Sequence, residues 1–117
     1  MMPELTQIKL LQKQKAVILT FSNDSQFELS CEYLRVYSPS AEVRGHGQGQ
    51  AVLQHGKKSV NIIEIEPVGH YAVKFFFDDG HQTGIYSFET LYSLALNYHE
   101  NWQHYLEKLA VAGLTRD

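Results

Sequence analysis

The sequence predicts an α+β fold, mainly an antiparallel β-sheet with C-terminal helices packed on it. Three observations lead there. Runs of β-branched or alternating residues, parted by polar turns, fill the first thirty positions and recur between Ile63 and Tyr86. Turn-forming residues join neighbouring runs closely enough for hairpins. From Phe88 onward the apolar residues repeat instead at spacings of four and three, which is one face of a helix.

The elements follow in chain order. Residues 8–11 read as a short strand, ended by the polar turn Lys13-Gln14-Lys15. Residues 16–21 are a β-branched run, and Ser22-Asn23-Asp24-Ser25 is rich in turn formers. Residues 26–30 alternate polar and apolar, so the first thirty residues suggest a meander of three strands. Residues 31–36 form about one helical turn, stopped ahead of Pro39 because the residue before a proline is pushed out of the helical region. Residues 44–50 carry three alternate glycines, a pattern that only a loop tolerates.

A further strand is expected at residues 63–66, ended by Pro67. In the next, Tyr71, Val73, Phe75 and Phe77 lie on one face. Asp78-Asp79-Gly80-His81 is a hairpin turn, and residues 83–86 are the return strand. Ser87 caps a helix starting at Phe88. Its stripe of Leu91, Ala95, Tyr98, Trp102, Tyr105 and Leu109 is expected to dock on the sheet, with a break near residues 97–101 and Gly113 as the C-terminal cap.

Composition narrows the function classes. The 117 residues suit one domain, and 44% hydrophobic with 20% charged residues is ordinary for a globular chain. Ten basic residues against thirteen acidic ones argue against a nucleic-acid partner, since phosphate contacts need a basic excess. No apolar run reaches the ~20 residues that a bilayer span needs, so no membrane partner is expected and the location by default is cytoplasmic. The single cysteine, Cys31, permits no intramolecular disulfide and reads as structural.

The candidate chemical motifs are incomplete. Gly45, Gly47 and Gly49 lack the Lys-Ser/Thr pair of a phosphate loop and the strand–turn–helix setting of a dinucleotide site. Arg44 and His46 still make that loop a candidate anion or partner site. Six histidines are scattered without metal-ligand spacing, and Asp78-Asp79 reads as turn chemistry rather than a carboxylate pair.

Residues 34–47, LRVYSPSAEVRGHG, resemble a small bacterial family of unknown function (DUF971) that looks like the N-terminal domain of gamma-butyrobetaine hydroxylase. Residues 65–69 and 77–86 fit the same family, and the resemblance covers about residues 5–112 of a single domain spanning 1–117. It implies an accessory domain that in the hydroxylases binds one zinc through three cysteines and a histidine, beside a separate oxygenase domain. The matching positions here are Ser38, Ser40, Val43 and His81, so one ligand position is kept and three are lost. Similar domains at the end of certain ATPases with iron–sulfur clusters imply a link to cluster proteins.

These readings combine into expectations. The chain is a non-catalytic binding or accessory module with no cofactor and no catalytic or metal-ligating residue. Its partner is a protein of unidentified kind, linked to oxygenase or iron–sulfur proteins, and a homo-oligomer is compatible with the sequence. Arg35, Arg44, His46, His81 and Tyr86 are the candidate partner-binding residues, gathered on one surface region. The alternative is a small enzyme, or an enzyme subunit, using a metal or cluster supplied by a partner. Convergence of two or more of Cys31, His46 and His81 in one cleft would favour it. Arg35 and Arg44 paired with Glu32 and Glu42, with His81 only pinning its turn, would leave all three to the fold.

Overall fold

Two tight turns fold the first three strands onto one another. Lys15 adopts φ 54° where β1 (Leu5–Leu11) turns into β2 (Ala16–Phe21), and Asp24 adopts φ 65° between β2 and β3 (Gln26–Ser30). In the second turn the Asn23 side chain accepts a hydrogen bond from the Ser25 N–H at 3.1 Å, the local bonding that favours Asn at turns. The computed structural model describes residues 2–44 and 51–117. The glycine-rich loop, His46 included, lies outside the described residues.

Beyond β3 come α1 (Cys31–Val36), α2 (Ala41–Arg44), β4 (Ile62–Val68), β5 (Ala72–Phe77), β6 (Ile85–Ser87), α3 (Phe88–Leu96) and α4 (Tyr98–Ala112). The strands form two antiparallel three-stranded sheets, β1-β2-β3 and β4-β5-β6, rather than one continuous sheet. The α+β class is as the sequence predicts.

Alternation decides which face each strand buries. Val17, Leu19 and Phe21 are fully buried, while Ile18 and Thr20 between them are half-buried. Val73, Phe75 and Phe77 do the same on β5. Both sheets share one core, completed by Tyr33 and Leu34 of α1 and by Leu91 and Leu94 of α3.

Several boundaries differ from the sequence reading. β1 begins at Leu5 because residues 5–11 pair along β2, with a bulge after Leu5. β4 runs through Pro67, which sits opposite Val73; β4 is an edge strand, where a residue without an N–H is tolerated. A bulge between Ile62 and Glu64 turns Ile62 into the core and leaves Ile63 60% exposed. Tyr71 precedes β5 and is exposed, and the return strand is displaced to Ile85–Ser87.

The helices start and stop where capping predicts. The Ser87 side chain accepts from the Thr90 N–H at 3.0 Å, Asn97 divides α3 from α4, and Gly113 closes α4 at φ 68°. Ser30 caps α1 in the same way through the Tyr33 N–H. α2 escaped the sequence reading, although Ser40 is its cap and accepts from the Glu42 N–H. The two C-terminal helices also divide their docking. α3 packs on the sheets, whereas Tyr105 and Leu109 of α4 pack against Val36 of α1. Trp102 bridges these two clusters half-buried, with the Arg116 guanidinium 5.2 Å from its ring. No helix among the described residues is long and apolar enough to cross a membrane.

Candidate functional site

The segment after α1 and the loop entering β6 meet in a hydrogen-bonded clip. α1 ends with the Tyr37 N–H bonded to the Tyr33 carbonyl, and Pro39 stops any continuation. That places Ser38 and Ser40 facing the β5–β6 connection. There the Asp79 side chain accepts from the His81 N–H at 3.1 Å, and Gly80 adopts φ 90°. The Asp78-Asp79 pair is therefore turn chemistry, as its sequence suggests.

His81 is the centre of the clip. Its Nδ1 lies 3.1 Å from Glu42 Oε2, and its Nε2 lies 2.9 Å from Ser38 Oγ. A carboxylate only accepts, so Nδ1 carries the proton and a neutral ring accepts at Nε2 from the Ser38 hydroxyl. Ser38 Oγ in turn accepts from the Ser40 N–H, and Ser40 Oγ is 2.6 Å from Thr83 Oγ1. Burial, then the Arg35 charge, lowers the His81 pKa, against the raising effect of Glu42 and Asp79. Tyr86, fully buried on β6, donates its hydroxyl proton to the Leu34 carbonyl at 2.5 Å, and burial pushes its phenol pKa up.

Ser38, His81 and Glu42 stand in the order of a hydrolytic triad, yet the setting is inverted. Ser38 is 1% exposed and its Oγ backs onto Gly84, while the residue borders the adjoining groove. The acid, buried in a working triad, is here 63% exposed. The arrangement joins two segments.

Arg35 holds the next layer. Its Nε donates to Asp79 Oδ2 at 2.9 Å and its Nη1 to Gln54 Oε1 at 3.0 Å, while Lys57 reaches the same Asp79 oxygen at 2.6 Å. Burial alone would raise the Asp79 pKa; Lys57, the His81 N–H and Arg35 outweigh it and hold the carboxyl at about 2. The alternative Arg35–Glu32 pair does not form: Glu32 binds Arg116 through both oxygens, at 2.7 and 2.9 Å. Glu42 faces His81 rather than Arg44.

Beside the clip the surface opens. Tyr105 of α4 donates to the Gln54 carbonyl at 2.8 Å, and the Val52 N–H donates to the Val43 carbonyl at 2.7 Å. Between these anchors lies a groove of about 390 Å³ with Val36, Val43, Leu53 and Tyr105 in its wall and Arg44 and Lys108 among its lining residues.

The family model described as gamma-butyrobetaine hydroxylase-like, N-terminal, matches residues 8–92. This chain belongs to that family. Two solution structures determined by NMR are similar to it: one at 53% identity covers 98% of this chain and 86% of its own, with a TM-score of 0.85. The other, at 44%, covers 100% and 92%, with a TM-score of 0.86. A crystal structure of a DUF971-family protein of unknown function from Acidithiobacillus ferrooxidans is 33% identical, covers 79% of this chain and 92% of its own, and has a TM-score of 0.66. No curated protein matches the sequence.

Within this gamma-butyrobetaine hydroxylase-like domain the donor set does not fit zinc. Two of the four matching positions offer neutral hydroxyls already engaged with His81 and Thr83, and Val43 offers methyl groups. Among the described residues no three His, Cys, Asp or Glu side chains gather as a metal site. Cys31, buried beside Asn61, shares no hydrogen-bond partner with His81, and neither residue lines the groove.

The candidate residues thus fall into two groups. Arg35, His81 and Tyr86, expected as contact groups, are buried at 7%, 6% and 0% exposure. Arg44 is exposed at the groove. Sequence reasoning missed Glu42, Asp79 and Gln54 as partners of His81 and Arg35, and Thr83 as the partner of Ser40. Those pairings lie 39, 44, 19 and 43 positions apart, beyond any local signal except the Ser40 cap.

Proposed function

We propose that this chain is a non-catalytic binding module that recognises a protein partner. One observation carries the reading: the groups with chemical potential close on one another, while the adjoining groove keeps an apolar wall beside two cations. Apolar and aromatic surface with arginine nearby is the chemistry of protein recognition hot spots. The family's likeness to an oxygenase's N-terminal domain is what suggests an oxygenase as the partner class; a link to iron–sulfur proteins and a cytoplasmic setting are part of the same proposal. Arg44 contacts the partner, and Arg35, His81 and Tyr86 fix the shape of the face.

The test compares capture by the tagged chain with capture by Arg44→Glu/Val52→Asp and by a remote control, Glu64→Lys. A protein from the native lysate should be retained by the wild type and the control and lost by the groove variant, with melting temperatures alike. Equal capture by all three would overturn the assignment of recognition to this face.

A further inference from the structure

The groove does not end at Tyr105. It adjoins a second depression of about 400 Å³ that shares Leu53 and Lys108 with it and extends to His104, Glu107 and Val111 of α4. His104, Lys108 and Val111 are four and three residues apart, so they line one face of α4 over about 10 Å of its length. Tyr105 and Leu109, about a third of a turn round the helix from that face, are buried against α1, and Tyr105 also borders the first depression. The two depressions are therefore parts of one elongated trough running along α4.

Its surface chemistry is unusual for this molecule. Val111 is 91% exposed, the most accessible large apolar side chain among the described residues, and Val52 is 56% exposed. Arg44 and Lys108 sit beside them, whereas the ion pairs of the described residues use Arg35, Lys57, Lys58, His81 and Arg116. Glu107 is the one acid in the trough's lining, at the α4 end. The trough is thus locally positive on a chain whose net charge is −3.

Building on the binding-module reading, we infer that the trough seats an acidic, apolar peptide segment of a partner protein. Its apolar residues cover Val52, Leu53 and Val111, and its Asp or Glu side chains pair with Arg44 and Lys108. Elongation favours a peptide over a compact small molecule, since apolar anchors spaced along a segment are how such grooves read their ligands. The charge contrast with the rest of the chain steers an acidic segment to this face and repels it from the acidic remainder.

The experiment selects random displayed peptides on the immobilised wild-type chain and measures a fluorescently labelled selected peptide by polarisation. The selected sequences should pair apolar residues with Asp or Glu. Binding should weaken about tenfold or more in Lys108→Glu and in Val52→Asp, ~1.4 kcal/mol each, and should weaken with added salt. Replacing the peptide's acid by Lys should restore binding to Lys108→Glu alone. Both substitutions lie on exposed positions, and unchanged melting temperatures confirm that they report on binding. Selected peptides without acids, or binding indifferent to Lys108→Glu and Val52→Asp, would overturn this inference while leaving the module reading standing. A concentration-dependent dimer abolished by Val52→Asp would place a second copy of the chain in the trough and overturn it as well. Absence of any selected peptide, together with equal protein capture by wild type and groove variant, would overturn both.

Discussion

His81 is a histidine that the fold keeps neutral. Burial, then the nearby Arg35 charge, pushes its pKa below the ordinary value of about 6.5, because the charged ring would lose water and face a cation. The sign of the consequence follows. The unfolded chain takes up this proton first, so the stabilising contribution of neutral His81 is whole above the ordinary pKa. It is lost as pH falls from there toward the depressed folded value. The melting temperature should therefore drop between pH 7 and pH 5. His81→Asn, which cannot titrate, should be less stable at pH 7 and show a shallower slope over that range. An unchanged slope in the variant would show that the pH response arises elsewhere.

At the scale of elements, the clip depends on close approach between the segment after α1 and the loop entering β6. Gly84 makes that approach feasible. A methyl added there would run into Ser38 Oγ, with Tyr86 Cε1 at 3.3 Å and Pro39 Cδ at 3.5 Å closing the remaining space. Ser38 cannot swing away without breaking its bonds to His81 and to the Ser40 N–H. Gly84→Ala should thus cost about 1–3 kcal/mol, the usual range for overpacking a close contact, measured by denaturant melts. Gly80→Ala probes the other requirement: nothing crowds its added Cβ, yet φ 90° disfavours a side chain. If Gly84→Ala were neutral, the two segments would be less tightly joined than the geometry states.

Across the whole molecule, the last residues are tied to the first helix. The Gly56 and Lys58 N–H groups donate to the Thr115 and Arg116 carbonyls, and Arg116 grips Glu32 with two hydrogen bonds. Glu32 is 5% exposed and Arg116 37% exposed, so removing the arginine strands a buried carboxylate that water reaches poorly. Arg116→Ala should cost about 2 kcal/mol, below the ~3–5 kcal/mol of a fully enclosed pair because one partner is half open to solvent. Adding Glu32→Gln should recover part of that loss, since the neutral amide is cheaper to leave unpaired. A double variant no more stable than Arg116→Ala would show that the arginine acts through its packing on Trp102 instead.

Local rules determined much of this protein from sequence alone. A β-branched run located β2 and period-two alternation located β3, turn residues set the joints between them, and the Ser87 and Gly113 caps bounded the C-terminal helices, because each depends on neighbours within a few positions. The stripe from Leu91 to Leu109 likewise announced its own burial. What it packed against was decided in three dimensions: α3 met the sheets and α4 met α1. The β4 bulge reversed which isoleucine faced the core, since register answers to the partner strand. The candidate residues show the same limit. Their types were visible, but their burial was not, because Arg35, His81 and Tyr86 found partners tens of residues away. An arginine or histidine reads as surface until the fold supplies Asp79, Glu42 or Ser38 to satisfy it. Which surface stayed open was left to whatever those pairings did not close.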